Sequence, residues 1–242
     1  MRTLAYGDDP DQVGDLFRPQ GQGSRTGPWP VAMLLHGGYW RDRWGRGLMA
    51  GLAADLARRG FAAWNLEYRR VGHPSGGWPG TFDDVRAGLD ALEGDDDLDL
   101  DRVALVGHSA GGQLALWLAA QPTGVTPRIV VALAPVADLH LAARLHLSDD
   151  AVVGLLGGTP DEHPDRYRRA SPTALAPIGV PQVLLHGTAD DDVPLALSRA
   201  HQAAAGDECT LLELPGTDHF ALIDPASPAW ALAAAHLTAA LR

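Results

Sequence analysis

Val103-Ala104-Leu105-Val106-Gly107-His108-Ser109-Ala110-Gly111-Gly112, running straight into the helical stretch Gln113 to Ala120, is the segment whose reading decides the fold. A short apolar run ended by glycine reads as a buried strand, and the residues after it read as a helix. The turn between them has the form G-x-S-x-G. A serine on a sharp strand-to-helix turn needs small residues on both sides, because the backbone is strained and neighbouring elements approach closely; Gly107 and Gly111 meet that need. The turn would present the Ser109 hydroxyl at a helix N-terminus, with the Ala110 amide facing any negative charge that develops on a reacting oxygen.

Outward from this stretch, apolar runs bounded by turn residues alternate with longer segments of helical period. Val31 to His36, Phe61 to Leu66, Arg102 to Gly107, Arg128 to Ala134, Pro181 to His186 and Cys209 to Leu214 read as strands. Gly45 to Arg59, Thr81 to Leu92, Ala110 to Gln121, Pro194 to Ala205 and Pro228 to Leu241 read as helices. The alternation predicts an α/β fold, a mostly parallel central sheet with helices on both faces. Thr3 to Tyr6 and Gln12 to Arg18, joined by the turn at Asp8-Asp9-Pro10-Asp11, predict an antiparallel hairpin at one sheet edge. Leu139 to Arg169 breaks the rhythm with His, Asp and Arg and the sequence Gly157-Gly158-Thr159-Pro160; residues 139–170 are read as a short cap-like insertion. Gly21 to Pro30 is too near the N-terminus to divide domains, so residues 1–242 are expected to form a single domain.

Composition narrows the function classes. The chain carries 19 basic residues, all arginine, against 30 acidic ones, for a net charge of −11. That balance lacks the basic footprint of a nucleic-acid binder. The single cysteine, Cys209, rules out an internal disulfide and a thiolate-rich zinc site, and reads as a small buried residue. No apolar run reaches the roughly 18 residues of a membrane span. The opening residues lack the apolar stretch of a secretory signal, so a cytoplasmic location is expected.

A glycine pair follows an earlier strand in Leu34-Leu35-His36-Gly37-Gly38-Tyr39-Trp40. Glycines there let backbone amides approach a substrate oxygen, so Gly37, Gly38 and Ala110 are candidate oxyanion donors. A serine nucleophile also requires a base and an orienting acid, expected on loops at the C-terminal ends of later strands. His186-Gly187-Thr188-Ala189-Asp190-Asp191-Asp192-Val193-Pro194 and Pro215-Gly216-Thr217-Asp218-His219-Phe220 supply them. The chain order Ser109, Asp190, His219 makes His219 the candidate base and Asp190 the candidate acid, with Asp191 and Asp192 as alternatives that spacing alone does not separate. An acidic run before Pro194 also suits the N-terminus of a helix.

Taken together, these segments resemble the α/β-hydrolase superfamily over nearly the whole chain, and within it the HGG-containing esterase and kynurenine formamidase (arylformamidase) branch. His36-Gly37-Gly38-Tyr39-Trp40 resembles the HGGYW motif of that branch. Asn65-Leu66-Glu67-Tyr68-Arg69 with Trp78-Pro79 and Asp83-Asp84 is similar to its N-x-x-Y-R…P…D stretch. His186 to Pro194 is similar to the H-G-x-x-D-x-x-V-P acid loop shared with prolyl oligopeptidase-type hydrolases. The resemblance implies Ser109 as nucleophile, Asp190 and His219 as its partners, amides of Gly37, Gly38 and Ala110 as the oxyanion hole, and no cofactor. The implied substrate is a small ester or an aryl formamide.

Tyr39 and Trp40, with Trp44 or Trp78, are candidates for an aromatic wall against the substrate, and Arg41 or Arg43 beside them for meeting a carboxylate. Asp95 to Asp101 resembles a calcium loop, but Leu100 stands where glycine is needed and Val106 where glutamate is needed, so a solvated loop is expected. His140, His146 and His163 lack metal-ligand spacing, and no metal site is expected. The rival reading from another class is a non-catalytic ligand-binding protein of the same fold. A small peptidase of the prolyl oligopeptidase type is a further alternative, and 242 residues leave no room for the propeller that gates larger relatives.

Overall fold

A computed structural model describes residues 1–19 and 28–242. Gly21 to Gly27 of the stretch read above as too near the N-terminus to divide domains lie outside the described residues. Eight strands form one sheet: β1 (Arg2–Ala5), β2 (Val13–Phe17), β3 (Trp29–Leu35), β4 (Ala62–Leu66), β5 (Leu98–His108), β6 (Ile129–Leu133), β7 (Gln182–Gly187) and β8 (Cys209–Leu214). Their order is β1-β2-β4-β3-β5-β6-β7-β8. The hairpin β1–β2 pairs antiparallel and joins β4 antiparallel; the other neighbours run parallel.

Helices cover both faces because the central strands are apolar on both sides. Met33, Leu35, Leu105 and Val130 face one cluster, and Leu34, Val106, Val131 and Leu133 the other, as the two-residue period of a strand requires. Helices α1 (Ala50–Arg58) and, near the C-terminus, Pro228–Leu241 pack on the second cluster through Leu52, Leu56, Trp230 and Leu237. Helices α2 (Gly80–Asp90) and α3 (Ala110–Ala119) pack on the first through Phe82, Leu89, Leu114 and Trp117.

Every residue of α3 is buried, an all-round burial that follows from what lies on its outer side. There the insertion folds as α4 (Leu139–Arg144), α5 (Leu147–Leu156), α6 (Pro164–Ala170) and α7 (Pro172–Leu175). Gln113 Nε2 and Trp117 Nε1 donate to the Ala170 and Arg169 carbonyls and fasten α6 onto α3. The remaining helices are α8 (Ala196–Ala205) and the C-terminal α9 (Pro228–Leu241).

Two expectations shift. β5 begins at Leu98, not Arg102, because Leu98 is buried and pairs with Trp29 ahead of a register shift at Pro30/Val31. The acidic run is therefore strand in its second half. The expected helix from Gly45 is a 3-10 turn (Arg46–Met49) before α1 starts.

The strand order places the site. β4 lies on one side of β3 and β5 on the other, so the chain leaves β3 and β5 toward opposite faces of the sheet. In a parallel α/β sheet the crevice outside such a switch point is where ligands are held. Leu35 pairs with Gly107, and the residues that follow each, Gly37 and Ser109, emerge side by side.

Candidate active site

Ser109 closes β5 and opens α3 at φ 57°, ψ −119°, a conformation L-residues rarely hold. It persists because both of its backbone groups are engaged: its amide donates to the Leu133 carbonyl at 2.8 Å, and its carbonyl accepts from the Val136 and Gln113 amides, each at 3.2 Å. The glycines around it are required by space. A Cβ on Gly107 would lie 2.1 Å from the Gly111 carbonyl oxygen, and one on Gly111 would lie 2.1 Å from that of Leu35. Ala110, the first residue of α3, has an amide with no partner inside the helix, as every helix start does.

Gly37 is packed against the serine: a Cβ there would meet Ser109 Cβ at 2.9 Å and the His108 carbonyl oxygen at 3.0 Å. His36 sits fully buried behind the loop, with Nδ1 on the Gly37 carbonyl oxygen at 2.7 Å and Nε2 on Glu67 Oε1 at 2.7 Å. Carbonyl and amide of one trans peptide point in opposite directions. Holding the Gly37 carbonyl on His36 therefore turns the Gly38 N–H away from the His36–Glu67 pair. Burial pushes the Glu67 carboxyl up, but hydrogen bonds from His36 and the Arg46 amide, with the Arg70 charge, hold it below its ordinary value. Sequence reading assigned no role to Glu67 or Arg70, although Glu67 lies inside the N-x-x-Y-R stretch.

Beyond Gly38 (φ 111°) the loop continues through Tyr39 at φ 50° and Trp40 at φ 56°. Left-handed backbone costs a non-glycine residue on the order of 1–2 kcal/mol, so something must hold each one. Trp40 donates its indole N–H to Gln113 Oε1 at 3.0 Å and is fully buried. It supports the loop from beneath as a member of the core cluster that also holds Phe82 and Trp117. Tyr39 is half-buried and donates its phenol to the Asp192 carbonyl at 2.5 Å. Burial, with Asp192 and Asp190 nearby, pushes that phenol up to about 12. Trp78 stacks edge-on with Phe82 at 4.9 Å and belongs to the core side of the insertion.

Arg41 and Arg43, the candidates for meeting a carboxylate, both have partners within the chain. The Arg41 guanidinium binds the carbonyls of Ser148 and Asp149 and the Ser148 hydroxyl at the start of α5. Arg43 lies over the Trp44 ring at 5.3 Å.

The loops after β7 and β8 bring Asp190 and His219 together. His219 Nδ1 meets Asp190 Oδ2 at 2.6 Å, and the Asp192 and Val193 amides donate to Asp190 Oδ1 at 2.9 and 2.8 Å. His186 Nε2 approaches the same carboxylate at 3.4 Å while meeting the Val193 carbonyl at 2.8 Å. Burial pushes the Asp190 carboxyl up. The hydrogen bonds from His186, His219 and the Val193 amide outweigh it and hold the group well below the usual carboxylate range. Asp191 and Asp192 are exposed. His186, near the end of β7, stands at the first position of the H-G-x-x-D spacing, the sequence signal that ties it to Asp190.

His108, in the variable position of G-x-S-x-G, faces His219. Its Nε2 donates to the His219 carbonyl at 3.1 Å, and the two rings lie 4.4 Å apart. Burial, helped by the neighbouring His219, drives its pKa down to about 3. It is thus a neutral prop for the main chain of His219. Among the described residues no group of three or more His, Cys, Asp or Glu side chains could hold a metal ion, and no helix is long and apolar enough to cross a membrane.

Residues 15–204 match the profile of the BD-FAE family. The chain is 30% identical over 265 aligned residues to esterase LipC of Mycobacterium tuberculosis, a match covering 93% of this chain and 61% of LipC. It therefore spans less than two thirds of that relative's length. The fold matches that of a truncated carbohydrate esterase from gut microbiota at a TM-score of 0.83, with 19% identity over 99% of this chain and 96% of the other. It also matches esterase B from Lactobacillus rhamnosis, solved with a tributyrin phosphonate inhibitor, at a TM-score of 0.80, with 24% identity over 98% and 84%.

Proposed function

The chain belongs to the BD-FAE family, with an α/β-hydrolase fold, and on that premise we propose that it is a serine carboxylesterase acting on small esters through an acyl-enzyme. The observation that carries the reading is the Asp190–His219 pair, 2.6 Å apart at the same sheet edge as the strained Ser109. A carboxylate on Nδ1 keeps the proton there and leaves Nε2 as the basic nitrogen. His219 takes the Ser109 proton as Oγ attacks the substrate carbonyl. The Ala110 and glycine-loop amides receive the oxyanion, and His219 protonates the leaving alcohol. Water, deprotonated by the same histidine, then releases the acid.

Resemblance of His36 to Trp40 to the HGGYW motif favours an aryl formamide as a second substrate class, by the same steps with an amine leaving group. An intact acid–base pair argues against the ligand-binding alternative. Three measurements test the reading. Ser109→Ala should abolish hydrolysis of p-nitrophenyl acetate and butyrate while the far-UV circular dichroism and melting temperature stay as in the parent; retained turnover overturns it. A fluorophosphonate should label the parent and not the variant. N-formylkynurenine, offered beside the acetyl and butyryl esters, separates formamidase from esterase, and absence of formamide cleavage removes the second class.

A further inference from the structure

We propose that Tyr39 is a positioning residue that ties the glycine loop to the acid loop, so that the oxyanion amides and the triad carboxylate are set by one closed ring of contacts. The proposal rests on the serine-hydrolase reading above. The ring can be followed residue by residue. The Tyr39 hydroxyl donates to the Asp192 carbonyl, and the Asp192 amide donates to Asp190 Oδ1. Asp190 Oδ2 meets His219 Nδ1, and the His219 carbonyl accepts from His108. His108 precedes Ser109, whose Cβ faces Gly37, and Gly37 leads through Gly38 back to Tyr39. The crossing from Tyr39 to Asp192 joins residues 153 apart in the chain.

Two features make the hydroxyl, and not the ring, the working part. Tyr39 and Trp40 are consecutive left-handed non-glycine residues; the Tyr39 side chain is anchored on the Asp192 carbonyl, that of Trp40 on Gln113, and that of Arg41 on Ser148 and Asp149. Without the Asp192 anchor the Gly38–Tyr39 peptide keeps, among the described residues, only the Arg41 amide on the Gly38 carbonyl at 3.1 Å, so relaxation at Tyr39 strains the Gly38 backbone against the hold of His36 on the Gly37 carbonyl. A phenol titrating near 12 also remains a donor throughout the range in which a histidine base works. The same Asp192 peptide region holds Asp190, so losing the bond loosens the acid loop as well.

The test is Tyr39→Phe in the full chain, which removes one hydroxyl and keeps the ring. We expect kcat for p-nitrophenyl acetate to fall about tenfold with KM within about twofold, since the contact serves the transition state and not the bound ester. Phenylboronic acid, which forms a tetrahedral serine adduct, should bind more weakly by the same factor. A raised KM at unchanged kcat would make Tyr39 a substrate contact and overturn the proposal, as would kinetics equal to the parent. Amide hydrogen exchange decides the question independently of turnover: residues 36–41 and 188–193 should both exchange faster in the variant. Unchanged exchange in either segment overturns the proposal even if the parent protein proves inactive on esters, an outcome that by itself would overturn only the esterase reading.

Discussion

Asp190 differs from Asp191 and Asp192 in one respect that chemistry can read: its side chain is 1% exposed and receives four nitrogens, while its two neighbours face solvent. A carboxylate so surrounded stays ionised and orients the histidine. Asp190→Asn should lower kcat on p-nitrophenyl butyrate by about 10³- to 10⁴-fold through the wrong imidazole tautomer, whereas Asp191→Asn should stay within a few-fold of the parent. Equal losses in both would return the assignment to the open state in which spacing leaves it. Gly37 is the second residue whose role is set by space. A methyl group there would press on Ser109 Cβ and the His108 carbonyl, so Gly37→Ala should cost at least about 100-fold in kcat, the scale of losing an oxyanion donor. These identities were legible as candidates because strand-end loops can be located from apolar runs. Which member of an acidic triplet turns inward depends on the Asx turn over Asp192 and Val193, which no spacing reveals.

At the level of elements, the strand–turn–helix unit around Ser109 is the most demanding. Gly111 lies against the Leu35 and His36 carbonyl oxygens, where an added Cβ would stand 2.1 and 2.4 Å away, and both obstacles are backbone within the sheet. Gly111→Ala should therefore destabilise the fold by about 3 kcal/mol or more, read as a lowered urea midpoint at unchanged slope. The insertion shows the opposite dependence. Residues 139–170 read from sequence as a short cap-like insertion, and the helices α4 to α7 they form are fastened from outside, by α3 and by Arg41. His146, Ser148, Asp149 and Asp150 all hold positive φ at the start of α5, and Arg41 grips that turn by its carbonyls. Arg41→Met should speed amide exchange across residues 146–156 while leaving α9 unchanged; equal protection in both proteins would show that the turn holds itself. β5, by contrast, was underread at its start because the pairing of Leu98 with Trp29 outweighs the acidic residues between Leu98 and Arg102.

For the molecule as a whole, buried histidines set the response to acid. Burial drives His108 down to about 3 and His201 down to about 4, against about 6.5 for a free imidazole. Between these values the unfolded chain binds more protons than the folded one. Stability is then complete above about pH 6.5 and falls as the pH drops toward 4 and 3. Asp190, whose carboxyl is depressed, acts in the same direction below its ordinary range, since its contribution is lost as it is protonated. The urea midpoint should decline from pH 7 to pH 5, with proton uptake on unfolding rising toward about two at pH 5, where the slope approaches roughly 1.4 kcal/mol per pH unit for each. A flat midpoint across that interval would exclude both histidines as buried neutral groups. The charge of −11 by itself predicts the reverse, a fold relieved of repulsion as carboxylates are neutralised, so the measured sign decides between them.

Sequence alone determined the mostly parallel sheet, the strand–turn–helix at Ser109, the glycine loop and the strand-end positions of Asp190 and His219, because each is written locally: in apolar period, in glycine where a Cβ has no room, in strand-end position. Tertiary structure alone decided that Trp40 is core, that Arg41 holds the insertion, that Asp190 is the inward carboxylate, and that Tyr39 reaches Asp192. Asp190 is turned inward by a local Asx turn and by His219, and the other three outcomes depend on groups 73 to 153 residues apart being brought within hydrogen-bond distance by the tertiary fold, a condition that composition and spacing do not contain.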